Sequence, residues 1–315
     1  MINVGVVGVG YLGQHHARIY WELSKEMKDI KLVAVVDSDL QRAKEIAHKY
    51  NCKAYDNHKY ILEKVDAVSI VSPTITHYDI ATDFLIARKD ILLEKPITSN
   101  IEEAQKIVSY TKNSNIVVQV GYLERYNPVI SALNPLLKNP IFFESERLSP
   151  FLERGLDVDI TLDLMIHDID IVLSLLSRKS HIKSIKNIHA TGAKILTDKI
   201  DIAKAWIEFE NGVNAIFTAS RVYNAKSRKM KIYDKDGFFV VDYQNMTLDR
   251  FFKKNNKICH EPIQVEKKEP LKEEIKDFLE CIRHRRQPIV SVIDGLDTLD
   301  IAIRIGEKIK NETNG

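Results

Sequence analysis

Cysteine, net charge and long apolar runs are all scarce in this chain, and each scarcity removes a class of function. The three cysteines, Cys52, Cys259 and Cys281, stand far apart and form no C-x-x-C pair. That argues against a zinc site or a disulfide framework, so no metal is expected, and it suits a reducing cytoplasm. A formal net charge of +2 over 315 residues gives no strong field for nucleic acid. The pairs Lys253-Lys254 and Lys267-Lys268 are expected to be solvated loop charges. No apolar stretch approaches the roughly 20 residues of a membrane span. The N-terminus carries no basic region ahead of its apolar residues, so no signal peptide is expected and the cytoplasm is the expected compartment. No internal repeat or low-complexity linker interrupts the sequence. With 29% charged and 44% hydrophobic residues, the chain has the composition of an ordinary globular protein, long enough for two domains.

What is present begins at the N-terminus. Asn3 to Val7 forms a short apolar run, Gly8-Val9-Gly10-Tyr11-Leu12-Gly13 follows at once, and Gln14 to Leu23 continues with helical character. In this order of strand, turn and helix, Gly8 permits the tight turn, Gly10 lets backbone approach a pyrophosphate, and Gly13 allows close helix–strand packing. The helix N-terminus offers N–H groups to phosphates. A second apolar run, Lys31 to Val36, ends in Asp37, whose carboxylate would accept hydrogen bonds from ribose hydroxyls and repel a 2′-phosphate. NAD is therefore expected over NADP, although Ser38 and Arg42 leave room for the latter. A turn without a cofactor is the bland alternative.

Further strand-like runs alternate with helical segments: Cys52 to Tyr55, Asp66 to Val71, Ile91 to Leu93 and Ile116 to Val120. This predicts an α/β domain with a doubly wound parallel sheet over residues 1–122. Two of its strand exits carry polar residues where ligands bind in such sheets. One is Ser72-Pro73-Thr74-Ile75-Thr76-His77, with Ser72, Pro73 and His77 as candidate cofactor contacts; His77 lines the nicotinamide pocket or serves the helix start. The other is Glu94-Lys95-Pro96. Proline has no N–H for a central strand, so the chain leaves the sheet where Lys95 appears.

After residue 122 the pattern changes. Pro128 fits the first turn of a helix. Longer alternating runs follow: Ile141 to Leu148, Lys183 to Thr191, Ile202 to Glu208, Val213 to Arg221, Met230 to Tyr233 and Gly237 to Asp242. They predict a second, α+β domain over 123–315 with a largely antiparallel open sheet, closed by helices near Leu271 to His284 and Asp294 to Asn311. Within it lies Asp163-Leu164-Met165-Ile166-His167-Asp168-Ile169-Asp170. If helical, Asp163, His167 and Asp170 share a face. A carboxylate one turn from an imidazole can orient it, and a histidine of ordinary pKa near about 6.5 can take the proton of an alcohol as hydride leaves. A capped, solvated helix face would look the same.

The four motifs, in this order over essentially the full length, resemble the Gfo/Idh/MocA oxidoreductase family, which acts on sugars, nucleotide sugars and cyclitols. The resemblance implies a Rossmann domain joined to a mixed domain whose open sheet supports substrate binding and oligomer contacts, as a homodimer or homotetramer. It also implies cofactor contacts from Gly8, Gly10, Tyr11, Leu12, Gly13, Asp37, Ser72, Pro73, His77, Glu94 and Lys95. By the same carry-over, Lys95 hydrogen-bonds the reacting hydroxyl, His167 accepts its proton, Asp163 is its partner or a substrate ligand, and the Lys95-Pro96 bond is cis. In place of a glycine-rich approach to the D-x-x-x-H segment, the chain has Asp157-Val158-Asp159-Ile160-Thr161-Leu162. With Arg147 to Gly155 before it, that stretch resembles the branch oxidising the 3-hydroxyl of UDP-N-acetylglucosamine in lipid A biosynthesis. A diphosphate needs cations and donors, so Arg125, Arg147, Arg154 and Arg221 are substrate candidates, with surface ion pairing as the alternative for each; Tyr126 and Asp170 are further substrate candidates. Arg283, Arg285 and Arg286 are expected to answer a helix C-terminus. A myo-inositol or free-sugar dehydrogenase, and a non-enzymatic sensor on the same scaffold, are the rival readings.

Overall fold

The computed structural model describes residues 1–112, 114–152, 158–180 and 184–313. Contacts divide the chain into two compact units, Met1–Leu123 with Leu271–Asp297, and Glu124–Pro270 with Thr298–Gly315.

The first unit alternates strand and helix: β1 (Ile2–Val7), α1 (Gly13–Glu26), β2 (Ile30–Val36), α2 (Leu40–Tyr50), β3 (Lys53–Tyr55), β4 (Ala67–Ile70), α3 (His77–Ile86), β5 (Asp90–Glu94), α4 (Ile101–Thr111) and β6 (Val118–Gly121). Its six strands run in the order β3-β2-β1-β4-β5-β6, and every pair is parallel. Every residue of β4, β5 and β6 is buried, as expected for a sheet covered on both faces. The chain winds outward in both directions from β1 and β4. That reversal opens a crevice at the carboxyl ends of the strands, where the glycine loop and the two polar exits emerge. Side-chain oxygens of Asp39 and Asn100 cap α2 and α4 by accepting N–H groups of the first turns.

The second unit comprises α5 (Pro128–Leu133), β7 (Pro140–Leu148), α6 (Ile166–Ser180), β8 (Ile185–Ala193), β9 (Ile202–Phe209), β10 (Asn214–Ser220), β11 (Ser227–Asp234), β12 (Gly237–Asp242), β13 (Thr247–Lys254) and β14 (Lys257–Ile263). Its eight strands are ordered β14-β13-β12-β11-β7-β10-β9-β8, antiparallel except for β7 with β10. Along β7, Phe143, Ser145 and Arg147 are buried on the face toward α6, while Phe142, Glu144 and Glu146 point the other way. On that opposite face Phe142, Tyr233, Phe238, Phe251 and His260 form a run of ring contacts with centroids 4.6 to 5.8 Å apart across five adjacent strands.

The last two strands are absent from the pattern read in the sequence. β14 is exposed at most positions and β13 is only half-buried along most of its length, so hydrophobic alternation is weak. The signal was the turn between them, where Asn255 and Asn256 both take positive φ, at 49° and 57°, as a two-residue hairpin of that twist requires. The chain then adds α7 (Pro270–His284) and α8 (Val292–Thr313). Residues 271–297 cluster with the first unit rather than staying with the second, a return that the boundary near residue 122 did not include. Within the first unit, Gly295 makes that return possible at one point: a Cβ there would lie 2.9 Å from a Val120 methyl. Among the described residues no helix is long and apolar enough to cross a membrane.

Candidate active site

In the first unit the glycine loop has the shape a dinucleotide needs. Gly8 has φ +84°, and a Cβ on it would lie 2.6 Å from the Val71 carbonyl oxygen. A Cβ on Gly13 would lie 1.7 Å from the Gly8 carbonyl oxygen, so α1 can start this close to β1 only at glycine. A Cβ on Gly10 would meet nothing within 4 Å, leaving its backbone open to a phosphate. Tyr11 is exposed and Leu12 precedes the first turn of α1.

Asp37 closes the loop from the end of β2. Its carboxylate accepts the Val9 N–H at 2.9 Å, the Asp39 N–H at 3.0 Å and Arg42 Nη1 at 3.2 Å. A carboxylate has about four acceptor sites, so capacity remains for a ribose hydroxyl. The Arg42 side chain is 48% exposed, which puts a solvent-facing cation beside the acid. These residues fit a nicotinamide dinucleotide.

The two polar exits are joined by His77. It is 1% exposed, with Nδ1 2.9 Å from the Pro96 carbonyl oxygen and Nε2 2.9 Å from that of Ser72. Burial pushes its pKa below the usual value, against the pull of those carbonyls. Of the two roles open in the sequence, these contacts favour the structural one: the imidazole staples the β4 exit to the β5 exit. Ser72 Oγ accepts from Thr76 Oγ1, and Pro73 precedes the turn into α3.

Glu94 and Lys95 part company at the end of β5. Lys95 is half-buried, its N–H donates to Glu94 Oε2 at 3.2 Å, and the Lys95-Pro96 bond is cis. Glu94 is 7% exposed and its carboxylate turns inward, with Oε1 3.3 Å from His16 Nε2 of α1. A Cβ on Gly121 would lie 2.8 Å from that carboxyl group, so β6 passes it only as glycine. The Glu94 side chain is thus packed into the unit. Behind it lies Glu274 of α7, fully buried, with neither carboxyl oxygen hydrogen-bonded to a partner among the described residues. Burial first, then the charges of Glu94 and Asp277, push its pKa well above the carboxylate range. Arg283 pairs with Asp29 just before β2 and Arg285 with Asp90 of β5, so these two tie the end of α7 to the sheet, whereas Arg286 pairs with Asp277 of α7 itself.

In the second unit, Asp163 lies in a π-helical turn, Thr161–Met165, and His167 is the second residue of α6. Wide turns of this kind cluster at functional sites. Asp163 and His167 are half-buried, whereas Asp168 and Asp170 are buried. Arg147 grips Asp168 with Nε and Nη2 at 3.1 and 2.9 Å, and reaches Glu124 with Nη1 at 3.0 Å. Arg125 grips Asp170 with Nε and Nη2 at 2.6 and 2.7 Å. Burial raises the Asp168 pKa while Arg147 pulls it back, and the two acids hold Arg147 protonated.

This changes the substrate assignments. Arg147, expected to meet a diphosphate, is 1% exposed and engaged by two acids. Asp170, three residues beyond His167, is buried under Arg125, whereas Asp163 and His167 are half-buried. Arg221 is buried, donates to the Val158 carbonyl oxygen at 2.9 Å and lies 3.7 Å from Asp201. Tyr126 is buried. Arg154 falls outside the described residues. Glu124, Asp168, Asp201 and Glu274 went unremarked in the sequence, yet one signal was present: Arg147 has the same strand parity as Phe143 and Ser145, which marks a cation turned inward.

Two family models match the chain: an oxidoreductase family with an NAD-binding Rossmann fold over residues 2–122, and a GFO/IDH/MocA C-terminal domain over residues 141–240. The chain is 34% identical over 311 residues to a UDP-N-acetylglucosamine 3-dehydrogenase of Acidithiobacillus ferrooxidans, covering 96% of each. A solved structure of that enzyme superposes with a TM-score of 0.90 over 98% of both chains. A scyllo-inositol 2-dehydrogenase (NAD(+)) of Bacillus subtilis is 27% identical, covering 98% of this chain and 94% of the relative. A levoglucosan dehydrogenase in complex with NADH shares the fold at 18% identity, with a TM-score of 0.88 over 99% of this chain and 97% of that one.

Proposed function

Because the chain belongs to the Gfo/Idh/MocA oxidoreductase family, we propose that it uses NAD to oxidise a secondary hydroxyl of a nucleotide sugar, UDP-N-acetylglucosamine at C3. The observation that carries this reading is the 34% identity over 96% of both chains to an enzyme of that name, against 27% to an inositol dehydrogenase. The product would be the 3-keto sugar nucleotide, a substrate for amination on the way to lipid A.

In this reading the glycine loop and the first N–H groups of α1 hold the pyrophosphate, and Asp37 accepts from the adenosine ribose. Bound NAD supplies the hydride acceptor. Lys95 donates a hydrogen bond to the reacting hydroxyl, and His167 accepts its proton with Asp163 as partner. The rigid end of β5 keeps Lys95 in place, since its strand is buried throughout. Arg42 lies beside Asp37, so a weaker use of NADP is consistent with the same loop. The half-exposed aromatic face of the second unit's sheet supports a homodimer or homotetramer, and Phe238→Glu should reduce the mass measured by light scattering.

The test is NADH absorbance with purified protein, NAD and, in parallel, UDP-N-acetylglucosamine, UDP-glucose and myo-inositol, at alkaline pH with a ketone scavenger. Reduction with the acetamido nucleotide sugar alone supports the reading. Reduction with myo-inositol alone moves the substrate to the cyclitol class. Tight NAD binding with no turnover on any alcohol would favour a sensor, against which the joint presence of Lys95, Asp163 and His167 speaks.

A further inference from the structure

His167 stands between an acid one turn earlier, Asp163, and two that follow, Asp168 and Asp170. The two that follow are buried, and each meets an arginine from outside the helix through two N–H groups at once. Such a fork fixes direction as well as distance, which a single lysine contact would not. The anchors are themselves held. Arg147 sits on β7, between β10 and β11 in the sheet. Arg125 lies in the 3₁₀ turn Leu123–Tyr126 beside Glu124. Glu124 accepts from both Arg147 and Asn127, and Asn127 also donates to the Tyr243 carbonyl oxygen.

We propose that Arg125 and Arg147 are positioning residues for proton transfer: by gripping Asp170 and Asp168 they fix the first turn of α6 and balance the negative charges beside His167. The proposal rests on the reading of His167 as proton acceptor. Its physical basis is that a buried carboxylate three residues along a helix shares the histidine's neighbourhood, so its neutralisation sets how easily the imidazole gains a proton. Among the described residues, the charged and titratable groups around this turn include Asp163, Asp168 and Asp170 on its own segment, Asp159 just before it paired with Lys310 of α8, Arg147 from β7, and Glu124 and Arg125 from the 3₁₀ turn. Arg228 of β11 lies 3.8 Å from Glu124, and Tyr243 lies beneath Arg147. Arginines that seemed suited to a phosphate thus act on the proton instead.

The experiment measures kcat, KM and the pH profile of the full-length protein for four variants: Arg125→Met, Asp170→Asn, the double variant, and His167→Asn. Oxidation needs the neutral imidazole, so activity rises with pH through the histidine limb. Arg125→Met removes a positive charge beside Asp170 and should move that limb to higher pH by about one unit, whereas Asp170→Asn removes a negative charge and should move it to lower pH. The double variant should restore the limb yet keep kcat about tenfold low with KM for NAD unchanged, because the grip is gone. Asp170→Asn is nearly isosteric, so its arm stands even if Arg125→Met fails to fold. If His167→Asn removes the limb but neither single variant shifts it, the positioning role is wrong. A limb that persists in His167→Asn overturns the reading of His167 itself.

Discussion

Both units bury charged groups beside a candidate functional side chain, and they do so in opposite ways. In the second unit three buried acids on or beside α6 meet arginines: Asp168 and Glu124 share Arg147, and Asp170 takes Arg125. In the first unit Glu274 is buried behind Glu94, the residue before Lys95, without a hydrogen-bond partner for its carboxyl group among the described residues. Two nearby carboxyl groups in a low-dielectric interior do not both ionise readily, so burial and this neighbour favour the neutral form of Glu274. One unit fixes its helix with paired charges, and the other keeps its strand end rigid by packing and carries a neutral acid. A charge removed from the first arrangement weakens the hold on its partner, while the acid removed from the second relieves a cost.

The largest expected effect follows from the paired side. Arg147→Met strands Asp168 and Glu124 and should cost about 3 to 5 kcal/mol in urea unfolding. Replacing all three by apolar or amide residues should recover most of that loss, and no recovery would break the comparison. Next comes Lys95→Met, which should lower kcat by about 10³-fold while NAD binding, read by fluorescence quenching, is kept. Full activity in that variant would remove Lys95 from the site.

Asp201 tests a buried acid held mainly by backbone N–H groups, with Arg221 at 3.7 Å. It is buried, which alone would raise its pKa, but N–H groups of Ile195, Leu196 and Thr197 and the Thr197 hydroxyl outweigh this and lower it. Its stabilisation is therefore present above the ordinary carboxylate pKa and lost as pH falls through the depressed one. Asp201→Asn should cost about 2 kcal/mol at neutral pH and flatten the acid limb of the stability curve. An unchanged acid limb would remove Asp201 from the account. The smallest effect belongs to Glu274→Gln. The folded protein keeps a proton there that the unfolded chain releases above about pH 4.5, so folding stability falls as pH rises beyond that point. The amide removes this decline, and thermal melts at pH 8 should show a gain of about 1 to 2 kcal/mol that disappears near pH 4. A loss at pH 8 would mean that Glu274 is charged and paired.

The first unit was the more legible in the sequence, and the reason is physical. Strands buried on both faces give unbroken apolar runs, and the glycines of the loop answer hard steric limits at Gly8 and Gly13. The return of residues 271–297 was not legible, because α7 has the apolar stripe of any surface helix and nothing local says which sheet it covers. In the second unit, strands with clean alternation such as β9 were legible, while β13 and the edge strand β14 were not, since their exposure weakens that alternation. Asp163 and His167 were found by spacing, but the π turn that carries Asp163 leaves no mark in residue types. Arg125 and Arg147 were chosen for a phosphate and are engaged by buried carboxylates: both acids attract the same fork, and residue type alone does not separate them.

The most direct measurement follows the hydride. UDP-N-acetylglucosamine carrying deuterium at C3 is incubated with the protein and NAD, and the reduced cofactor is analysed by mass spectrometry. The account expects deuterium in the nicotinamide ring and a 3-keto nucleotide sugar without it. Unlabelled NADH with deuterium retained in the sugar would place the oxidation at another carbon, and no reduced cofactor at all would contradict the nucleotide-sugar dehydrogenase.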